Sequence, residues 1–245
     1  MIQTILCILC ILAFLHLFSK TQKELKCSYA NAFEKEHVKY YDALVYDDVK
    51  QKKELIFLDS ILHRGDSILD VGSGTGHFVN ALYEKGIHVT GIDNSSSMIS
   101  YSKKKYHHDY LLGDALTMSL FSNHTFSHIS CMYYTIYYLN PTIFFQNAYE
   151  WLMPGGLCIV HMSDTWKYGP TSTYRGEFTY SSSRVYNRHH EWITLKDKKI
   201  RIEHKINWES VSTLELIATK AGFTLHSKYK YPLPYHGEYL YVFQK

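Results

Sequence analysis

The residues with the clearest chemistry lie in one short run, residues 68–78, which reads ILDVGSGTGHF. Asp70 ends its apolar part, and Gly72, Gly74 and Gly76 follow at alternate positions. Because glycine has no Cβ, such a chain turns tightly and lets its backbone approach a bound group closely. A helix that starts after the turn offers its free N–H groups to an anion. The run therefore predicts a strand, a turn and a helix that together bind a nucleotide-like cofactor.

The spacing of the glycines distinguishes between classes of cofactor. The dinucleotide fingerprint needs a third glycine three residues after the second. Here His77 stands at that position, and the third glycine comes one residue earlier, at Gly76. The pattern D-x-G-x-G-x-G resembles motif I of the class I S-adenosylmethionine (SAM) dependent methyltransferases. An ordinary corner of an α/β fold is the structural alternative, and an NAD-type oxidoreductase is the functional one.

Acidic residues also end the next two predicted strands. Asp93 closes the run 86–93, and Asp114 follows a glycine at the end of the third strand. An acid at the end of the second strand accepts hydrogen bonds from ribose hydroxyls, and ligands of such sheets bind at the carboxyl ends of the strands. The resemblance to the methyltransferases implies that Asp114 and Ala115 contact the adenine.

Further contacts to the cofactor are predicted from the same resemblance. Asn94 and Met98 open the helix after the second strand, and Met98 lies either on the adenine face or in the core. Residues 40–46 resemble the lid segment that closes over SAM in small-molecule methyltransferases, so Tyr40 or Tyr46 is predicted beside the cofactor, with core packing as the alternative for either. Tyr133 follows the predicted fourth strand, whose last residues line the methyl-transfer site in the family.

Methyl transfer asks the protein mainly for positioning. The methyl group of SAM is already electrophilic, so the gain comes from holding the nucleophile in line at about 3–3.5 Å. An amine with a free lone pair needs no base, whereas a hydroxyl or carboxylate calls for a proton acceptor or a charge clamp. We predict His161 and Tyr133 as catalytic residues. Asp164, His189 and Glu203 are further candidates for facing the substrate.

No metal site is predicted. Histidines stand next to each other at 107–108 and 189–190. Adjacent side chains on a strand point to opposite faces, and no spaced set of Cys and His completes a tetrahedral site.

The elements around these residues predict one α/β domain over residues 36–245. Alternating strands and helices indicate a Rossmann-like, doubly wound sheet of seven strands with an antiparallel last strand. Residues 173–209 depart from this plan, because their period of two indicates short antiparallel strands. Such a β insert resembles the substrate cover of small-molecule methyltransferases, and a homodimer surface is the alternative.

The N-terminus predicts a membrane anchor over residues 1–19. This apolar run is at the short limit for a spanning helix, and it lacks the basic start and cleavage site of a signal peptide. Lys20, Lys23 and Lys26 follow in a juxtamembrane linker, residues 20–35. The positive-inside rule then predicts a single-pass protein whose catalytic domain faces the cytosol.

Composition excludes some other functions. A net charge of +3 is too small to predict nucleic acid binding, and the five cysteines form no disulfide framework. The sequence therefore predicts transfer of a methyl group from SAM to a nitrogen or oxygen nucleophile of a small-molecule or lipid-linked acceptor. A non-catalytic binding module with the same fold is a further alternative.

Overall fold

A computed structural model describes residues 23–27, 35–164, 172–174, 178–185, 188–194, 198–235 and 237–245. The described residues form two compact units: the first contains residues 23–27 and the described residues between 172 and 205, and the second contains residues 35–164 and the described residues between 206 and 245. The predicted anchor, residues 1–19, lies outside the described residues. Within them, no helix has both the length and the apolar character needed to cross a membrane.

The secondary structure alternates strands and helices through most of the chain. The strands are β1 (Lys23–Cys27), β2 (Ser67–Val71), β3 (His88–Asp93), β4 (Asp109–Leu112), β5 (Phe126–Cys131), β6 (Leu152–Ser163), β7 (Ser172–Tyr174), β8 (Phe178–Val185), β9 (Arg188–Thr194), β10 (Lys198–Lys205), β11 (Thr224–Lys230) and β12 (Glu238–Gln244). The helices are α1 (Lys35–Val45), α2 (Asp48–Leu58), α3 (His77–Tyr83), α4 (Ser96–Tyr106), α5 (Pro141–Trp151) and α6 (Val211–Lys220).

The second unit is built on a seven-stranded sheet with the order β11-β12-β6-β5-β2-β3-β4. Strands β2 to β6 pair in parallel, and β12 is antiparallel to both β6 and β11. The predicted Rossmann-like sheet of seven strands with an antiparallel last strand is confirmed. The strand order reverses beside β2, whose neighbours are β3 and β5, and ligands of such sheets bind at this switch point.

Side chains of alternate residues build two apolar cores. Leu69 and Ile129 belong to the core that contains Trp151, whereas Ile68 and Ile159 belong to the other. Because neighbouring residues of a strand point to opposite faces, these cores cover the two faces of the sheet.

Polar caps fix where the helices begin. The side chain of Asp47 accepts a hydrogen bond from the backbone nitrogen of Lys50 at the start of α2, and Ser95 does the same for Met98 in α4. Asn140 caps α5, where Pro141 occupies the first turn. These caps satisfy backbone donors that a helix leaves free at its start.

The first unit contains a five-stranded sheet with the order β1-β10-β9-β8-β7. Its last four strands are antiparallel, as predicted for the insert at residues 173–209. Strand β1 lies within residues 20–35, the predicted juxtamembrane linker, and its residues Lys23–Cys27 pair in parallel with Lys198–Ile202. Parallel strands are not joined by a short turn, so no turn residues mark this pair in the sequence. The sequence pattern therefore does not reveal β1.

Candidate cofactor cleft and active site

A cleft of about 420 Å³ opens at the carboxyl ends of β2 and β5. This volume includes the part of the cleft that is open to solvent. The lining residues are Tyr41, Val45, Tyr46, Asp70, Gly72, Ser73, Gly74, Thr75, His77, Phe78, Met132 and Tyr133. The cleft therefore lies at the switch point of the sheet, where the glycine turn was predicted to bind a cofactor.

The three glycines of the turn have different roles. All have positive φ angles, 71° at Gly72, 53° at Gly74 and 85° at Gly76, a region that residues with a Cβ rarely adopt. A Cβ at Gly72 would lie 2.4 Å from the Thr135 side chain, and one at Gly76 would lie 2.4 Å from the Tyr110 hydroxyl. A Cβ at Gly74 would meet nothing nearer than 3.7 Å. Gly72 and Gly76 thus permit close packing, and Gly74 leaves space in the cleft for a ligand.

Asp93 connects the end of β3 to the glycine turn. One of its carboxylate oxygens accepts a hydrogen bond of 2.9 Å from the Gly74 nitrogen, and the other accepts one of 2.8 Å from the Ser95 nitrogen. Burial raises the pKa of Asp93, and these two N–H groups offset part of that rise. A carboxylate has about four lone-pair positions, so Asp93 keeps capacity for the ribose hydroxyls it is predicted to bind.

Ser73 offers a second polar group to a ligand. Its hydroxyl is buried and has no hydrogen-bond partner among the described residues, although the residue lines the cleft. A buried polar group without a partner costs about 1–3 kcal/mol, so a bound polar ligand that satisfies it is favoured. Together with the space at Gly74, this orphaned hydroxyl shows that the residues present fit a cofactor.

Asp70 lies at the end of β2 and is only 2% exposed. It accepts a hydrogen bond of 2.7 Å from the Ser130 hydroxyl. Burial raises the pKa of Asp70 to about 7, and the carboxylates of Asp93 and Glu54 add to this rise. Near neutral pH the group is therefore present in both forms, and its protonated form can donate a hydrogen bond into the cleft.

The residues predicted to contact the adenine lie outside the lining of this cleft. Asn94 and Asp114 are exposed, and the Asp114 carboxylate accepts a hydrogen bond of 2.9 Å from the Leu116 nitrogen. Met98 and Ala115 are buried at 2% and 5% exposure. The burial of Met98 is consistent with the second of its two predicted positions, in the apolar core. A role in adenine binding for these four residues remains a prediction.

The predicted lid segment places Tyr46 and one further tyrosine, Tyr41 of α1, in the lining of the cleft. Tyr40 is half-buried and is not among the residues that line the cleft, whereas Tyr41 and Tyr46 are. The Tyr46 ring stacks on His77 with 3.6 Å between the ring centroids. The phase of a short helix depends on how it packs, so the sequence pattern did not distinguish Tyr40 from Tyr41.

An acidic residue fastens α1 to the opposite side of the cleft. The Asp42 carboxylate lies 3.1 Å from His77 Nε2 and 2.8 Å from Lys105 Nζ. The side-chain bonds from these two groups hold the pKa of Asp42 well below its usual range despite burial. Asp42 and Lys105 are 63 positions apart, so no local pattern predicted this contact.

Tyr133 lies where the prediction placed it, at the end of β5 and in the lining of the cleft. Its φ of 48° and that of Tyr134, 66°, are in the left-handed region, which bulky residues seldom adopt outside functional sites. The Tyr133 hydroxyl is buried and has no hydrogen-bond partner among the described residues. Burial and the nearby Glu54 carboxylate raise its pKa, so the hydroxyl keeps its proton at neutral pH.

His161, the other predicted catalytic residue, is not in the lining of the cleft. It is fully buried in β6, with its ring 4.5 Å from that of Tyr134 and its Nε2 3.2 Å from the Glu238 carboxylate. Burial lowers the pKa of His161 to about 4, and the charge of Lys50 contributes. The imidazole is therefore neutral near pH 7. Its contact with Tyr134 joins two segments that are distant in sequence, so no local pattern indicates it.

Asp164 and Glu203, two of the other acid–base candidates, are not among the residues that line the cleft. Asp164 is exposed just after β6, and Glu203 belongs to the first unit, where its carboxylate is 3.5 Å from His190. The side chain of His189 lies outside the described part of the structure. In the portion of the chain that the structure describes, no three His, Cys, Asp or Glu side chains are placed to hold a metal ion.

Comparison with known proteins identifies the family. The sequence model of a family described as a methyltransferase domain matches residues 28–228. The malonyl-(acyl-carrier protein) O-methyltransferase of Pectobacterium atrosepticum is 39% identical over 59 residues, and that of Serratia marcescens is 40% identical over 53 residues. These alignments cover 24% and 21% of this chain, and only 23% and 21% of the length of the curated relatives.

Solved structures resemble the whole fold. A SAM-dependent methyltransferase from Clostridium acetobutylicum is 17% identical with a TM-score of 0.68, covering 85% of this chain and 97% of its own. The CcbJ methyltransferase from Streptomyces caelestis is 16% identical with a TM-score of 0.71, covering 86% and 97%. CalS10, an amino pentose methyltransferase from Micromonospora echinaspora with SAM bound, is 16% identical with a TM-score of 0.66, covering 86% and 96%. The chain therefore belongs to the SAM-dependent methyltransferases with the class I fold, and SAM is its cofactor.

Proposed function

We propose that the protein transfers the methyl group of SAM to a nitrogen or oxygen nucleophile of a small or membrane-associated acceptor. The observation that carries this proposal is the position of Tyr133. Its hydroxyl lies at the end of β5 beside the glycine turn, buried and without a hydrogen-bond partner among the described residues. A polar group in this place can bind and orient a polar nucleophile.

Bound SAM supplies an electrophilic methyl group, and the residues of this chain hold the cofactor and the nucleophile in position. Gly74 and Asp93 form the surface for the nucleoside part, and Tyr41 of the lid helix and Tyr46 just after it shield the cleft from water. Tyr133 holds the nucleophile in line. Proximity and orientation of this kind account for about 7–11 kcal/mol of a barrier when the geometry is good.

The names of similar proteins support both nitrogen and oxygen as the acceptor atom. The two curated relatives are named O-methyltransferases. One structural neighbour from Burkholderia thailandensis, with a TM-score of 0.58 and 14% identity, is named 1,6-didemethyltoxoflavin-N1-methyltransferase. These acceptors differ widely, so the names support the reaction class and not one substrate.

Two further parts of the proposal concern substrate access. The antiparallel strands of the insert are proposed to cover the acceptor, as in the small-molecule methyltransferases that the sequence resembles. The apolar run at residues 1–19 is proposed to anchor the protein in a membrane, with the catalytic domain facing the cytosol. The three lysines that follow the run support this orientation. An anchored enzyme has ready access to lipid-linked acceptors.

A labelled-methyl transfer assay tests the proposal. The full chain is incubated with methyl-labelled SAM and a cell extract that has been separated into membrane and soluble fractions. We expect label in a small molecule of one fraction, and the Asp93→Ala variant should transfer much less. Label in the membrane fraction would support a lipid-linked acceptor. If neither fraction takes up label while SAM binds normally, the proposal is wrong.

A further inference from the structure

Four ionisable side chains form a buried charge cluster behind Tyr133: Lys50, Glu54, His161 and Glu238. Lys50 and Glu54 come from α2, His161 from β6 and Glu238 from the start of β12. The Lys50 Nζ lies 2.5 Å from the Glu238 carboxylate, and the two side chains are 7% and 5% exposed. Glu54 is fully buried. Buried charges are costly unless they are paired, so an arrangement of this size calls for an explanation.

Tyrosine rings surround the ammonium group of the cluster. The Lys50 Nζ lies between 5.0 and 5.6 Å from the centroids of the rings of Tyr133, Tyr134, Tyr231 and Tyr235. Aromatic faces at this distance attract a cation. The environment behind the cleft is therefore one that favours positive charge.

The charges of the cluster do not balance. Glu238 is paired with Lys50 and with His161, and these contacts lower its pKa to about 2 although burial opposes this. Glu54 has no cation of its own. Burial raises its pKa to about 7, and Lys50 together with the hydroxyls of Tyr231 and Tyr133 offsets only part of the rise. His161 is neutral, so the cluster carries one excess negative charge whenever Glu54 is ionised.

Glu54 has an open position on the side of Tyr133. One oxygen, Oε1, accepts a hydrogen bond of 2.5 Å from the Tyr231 hydroxyl. The other, Oε2, and the Tyr133 hydroxyl have no hydrogen-bond partner of good geometry among the described residues, but the two groups are close enough for the Tyr133 hydroxyl to lower the pKa of Glu54. The groups that face Glu54 are Lys50 of α2, Asp70 of β2, Tyr133 after β5, Tyr231 before β12 and Glu238 of β12. Tyr133 lines the cleft as well, so it connects the cleft with this carboxylate.

We propose that the methyl acceptor is a primary or secondary amine that enters the cleft as its ammonium form and loses a proton to Glu54 through the Tyr133 hydroxyl. This inference rests on the proposed methyl transfer and names the substrate class for it. The ammonium N–H donates to the Tyr133 oxygen while the tyrosine proton passes to Glu54 Oε2. The freed lone pair forms the N–CH₃ bond as the C–S bond breaks, and the electron pair of that bond stays on sulfur.

Charge favours an ammonium over other acceptors. An acceptor carboxylate would bring a second negative charge towards Glu54, and like charges at short distance repel. A hydroxyl would be neutral and would leave the excess charge uncompensated. An ammonium compensates it and also supplies N–H donors for the open position. At neutral pH such an amine is protonated, so it needs a proton acceptor whose pKa lies near the working pH.

Selective blocking of the extract tests the substrate class. The extract is treated with acetic anhydride and then with hydroxylamine, which leaves amines acetylated and restores hydroxyls. The full chain is then assayed with methyl-labelled SAM. We expect acetylation to abolish labelling, while esterification of the carboxylates in a second sample leaves labelling intact. Label that survives acetylation would overturn the inference. An extract that takes up no label before treatment would instead count against the proposed methyl transfer itself.

Variants test the role of Glu54 as a positioning residue that acts through Tyr133. In the wild type, we expect the transfer rate to rise with pH and to level off above about pH 7, as Glu54 ionises. Glu54→Gln should lower the rate at least about tenfold and remove this inflection, because its amide cannot accept the proton. Tyr133→Phe should do the same. The exposed Glu84→Gln is the matched control and should keep both rate and profile.

A purely structural role for Glu54 would give a different result. The SAM affinity of Glu54→Gln, measured by calorimetry, should equal that of the wild type within about threefold. If Glu54→Gln lowers SAM affinity or stability but keeps the inflection near pH 7, Glu54 only supports the fold and the inference is wrong.

Discussion

The Asp93 carboxylate accepts a hydrogen bond of 2.9 Å from the backbone nitrogen of Gly74. The acid at the end of β3 therefore holds the turn that follows β2, and the two strand ends act as one cofactor site. Asp93 is predicted to bind the ribose as well, so one side chain would both shape the turn and contact the ligand.

Replacement of Asp93 should weaken SAM binding. We expect Asp93→Ala to cost about 1.5–3 kcal/mol of binding free energy, the scale of hydrogen bonds to a charged group. Asp93→Asn keeps one acceptor oxygen for the Gly74 nitrogen and should lose less. Isothermal titration calorimetry on the folded variants measures both values. Unchanged affinity in a folded Asp93→Ala variant would contradict the role assigned to this carboxylate.

Gly74 should matter for binding more than for folding. Both Gly74 and Gly155 have positive φ and space for a Cβ, but only Gly74 lines the cleft. Alanine at either position should cost about 1–2 kcal/mol of stability because of the left-handed backbone. Only Gly74→Ala should lower SAM affinity, because its methyl group occupies space in the cleft. Urea unfolding and calorimetry measure the two effects, and equal SAM affinity of the two variants would argue against a ligand at Gly74.

The buried ion pair of Lys50 should contribute strongly to stability only as a pair. Lys50→Met should cost about 3–5 kcal/mol of unfolding free energy, since it leaves the Glu238 charge buried without compensation. Adding Glu238→Gln should recover part of this loss. Lys52, on the same helix, is 74% exposed and pairs with Asp48 at 3.3 Å.

The exposed pair provides the control for that experiment. Lys52→Met should change stability by no more than about 0.5 kcal/mol. Chemical denaturation compares the three variants with the wild type. If Lys50→Met lowers the unfolding free energy as little as Lys52→Met does, Lys50 is well solvated and the charge cluster is not buried.

The raised pKa of Asp70 should make stability depend on pH. Its folded-state pKa of about 7 lies above the ordinary value of 3.8, so the folded protein favours the protonated form. This contribution is complete below about pH 4 and is lost as the pH rises to about 7. Asp70→Asn stays neutral and keeps an acceptor for Ser130. Relative to the wild type, it should therefore gain up to about 4 kcal/mol between pH 4 and pH 7.

Urea unfolding at pH 4.5, 6 and 7.5 measures this difference between Asp70→Asn and the wild type. Other buried groups, such as His161, also make stability depend on pH, but they are present in both proteins and their contributions cancel in the difference. A stability difference that stays constant over this range would mean that Asp70 has an ordinary pKa in the folded state.

Local patterns were sufficient to predict the large sheet and the glycine turn. The D-x-G-x-G-x-G spacing and the acid at Asp93 are local signals, and the period of two predicted the strands of the insert. Gly74 and Tyr133 line the cleft, and each lies within three residues of the end of a strand that the sheet fixes. Turn chemistry and strand ends are thus enough to place these residues.

Contacts between distant segments could not be predicted in this way. Lys50 and Glu238 are 188 positions apart, and a lysine-rich helix such as α2 is ordinarily expected to face solvent. The same limitation applies to His161, which the sequence suggested as a base and the fold buries behind Tyr134. Tyr41 rather than Tyr40 faces the cleft because helix packing determines which side chain points inward.

The most direct test of the central claim is a titration of the full chain with SAM and with NAD under the same conditions. The glycine spacing, the Asp93 contact and the fold predict saturable binding of SAM and no measurable binding of NAD. They also predict that Gly74→Ala weakens the SAM signal. Binding of NAD without binding of SAM would contradict the assignment of the cleft.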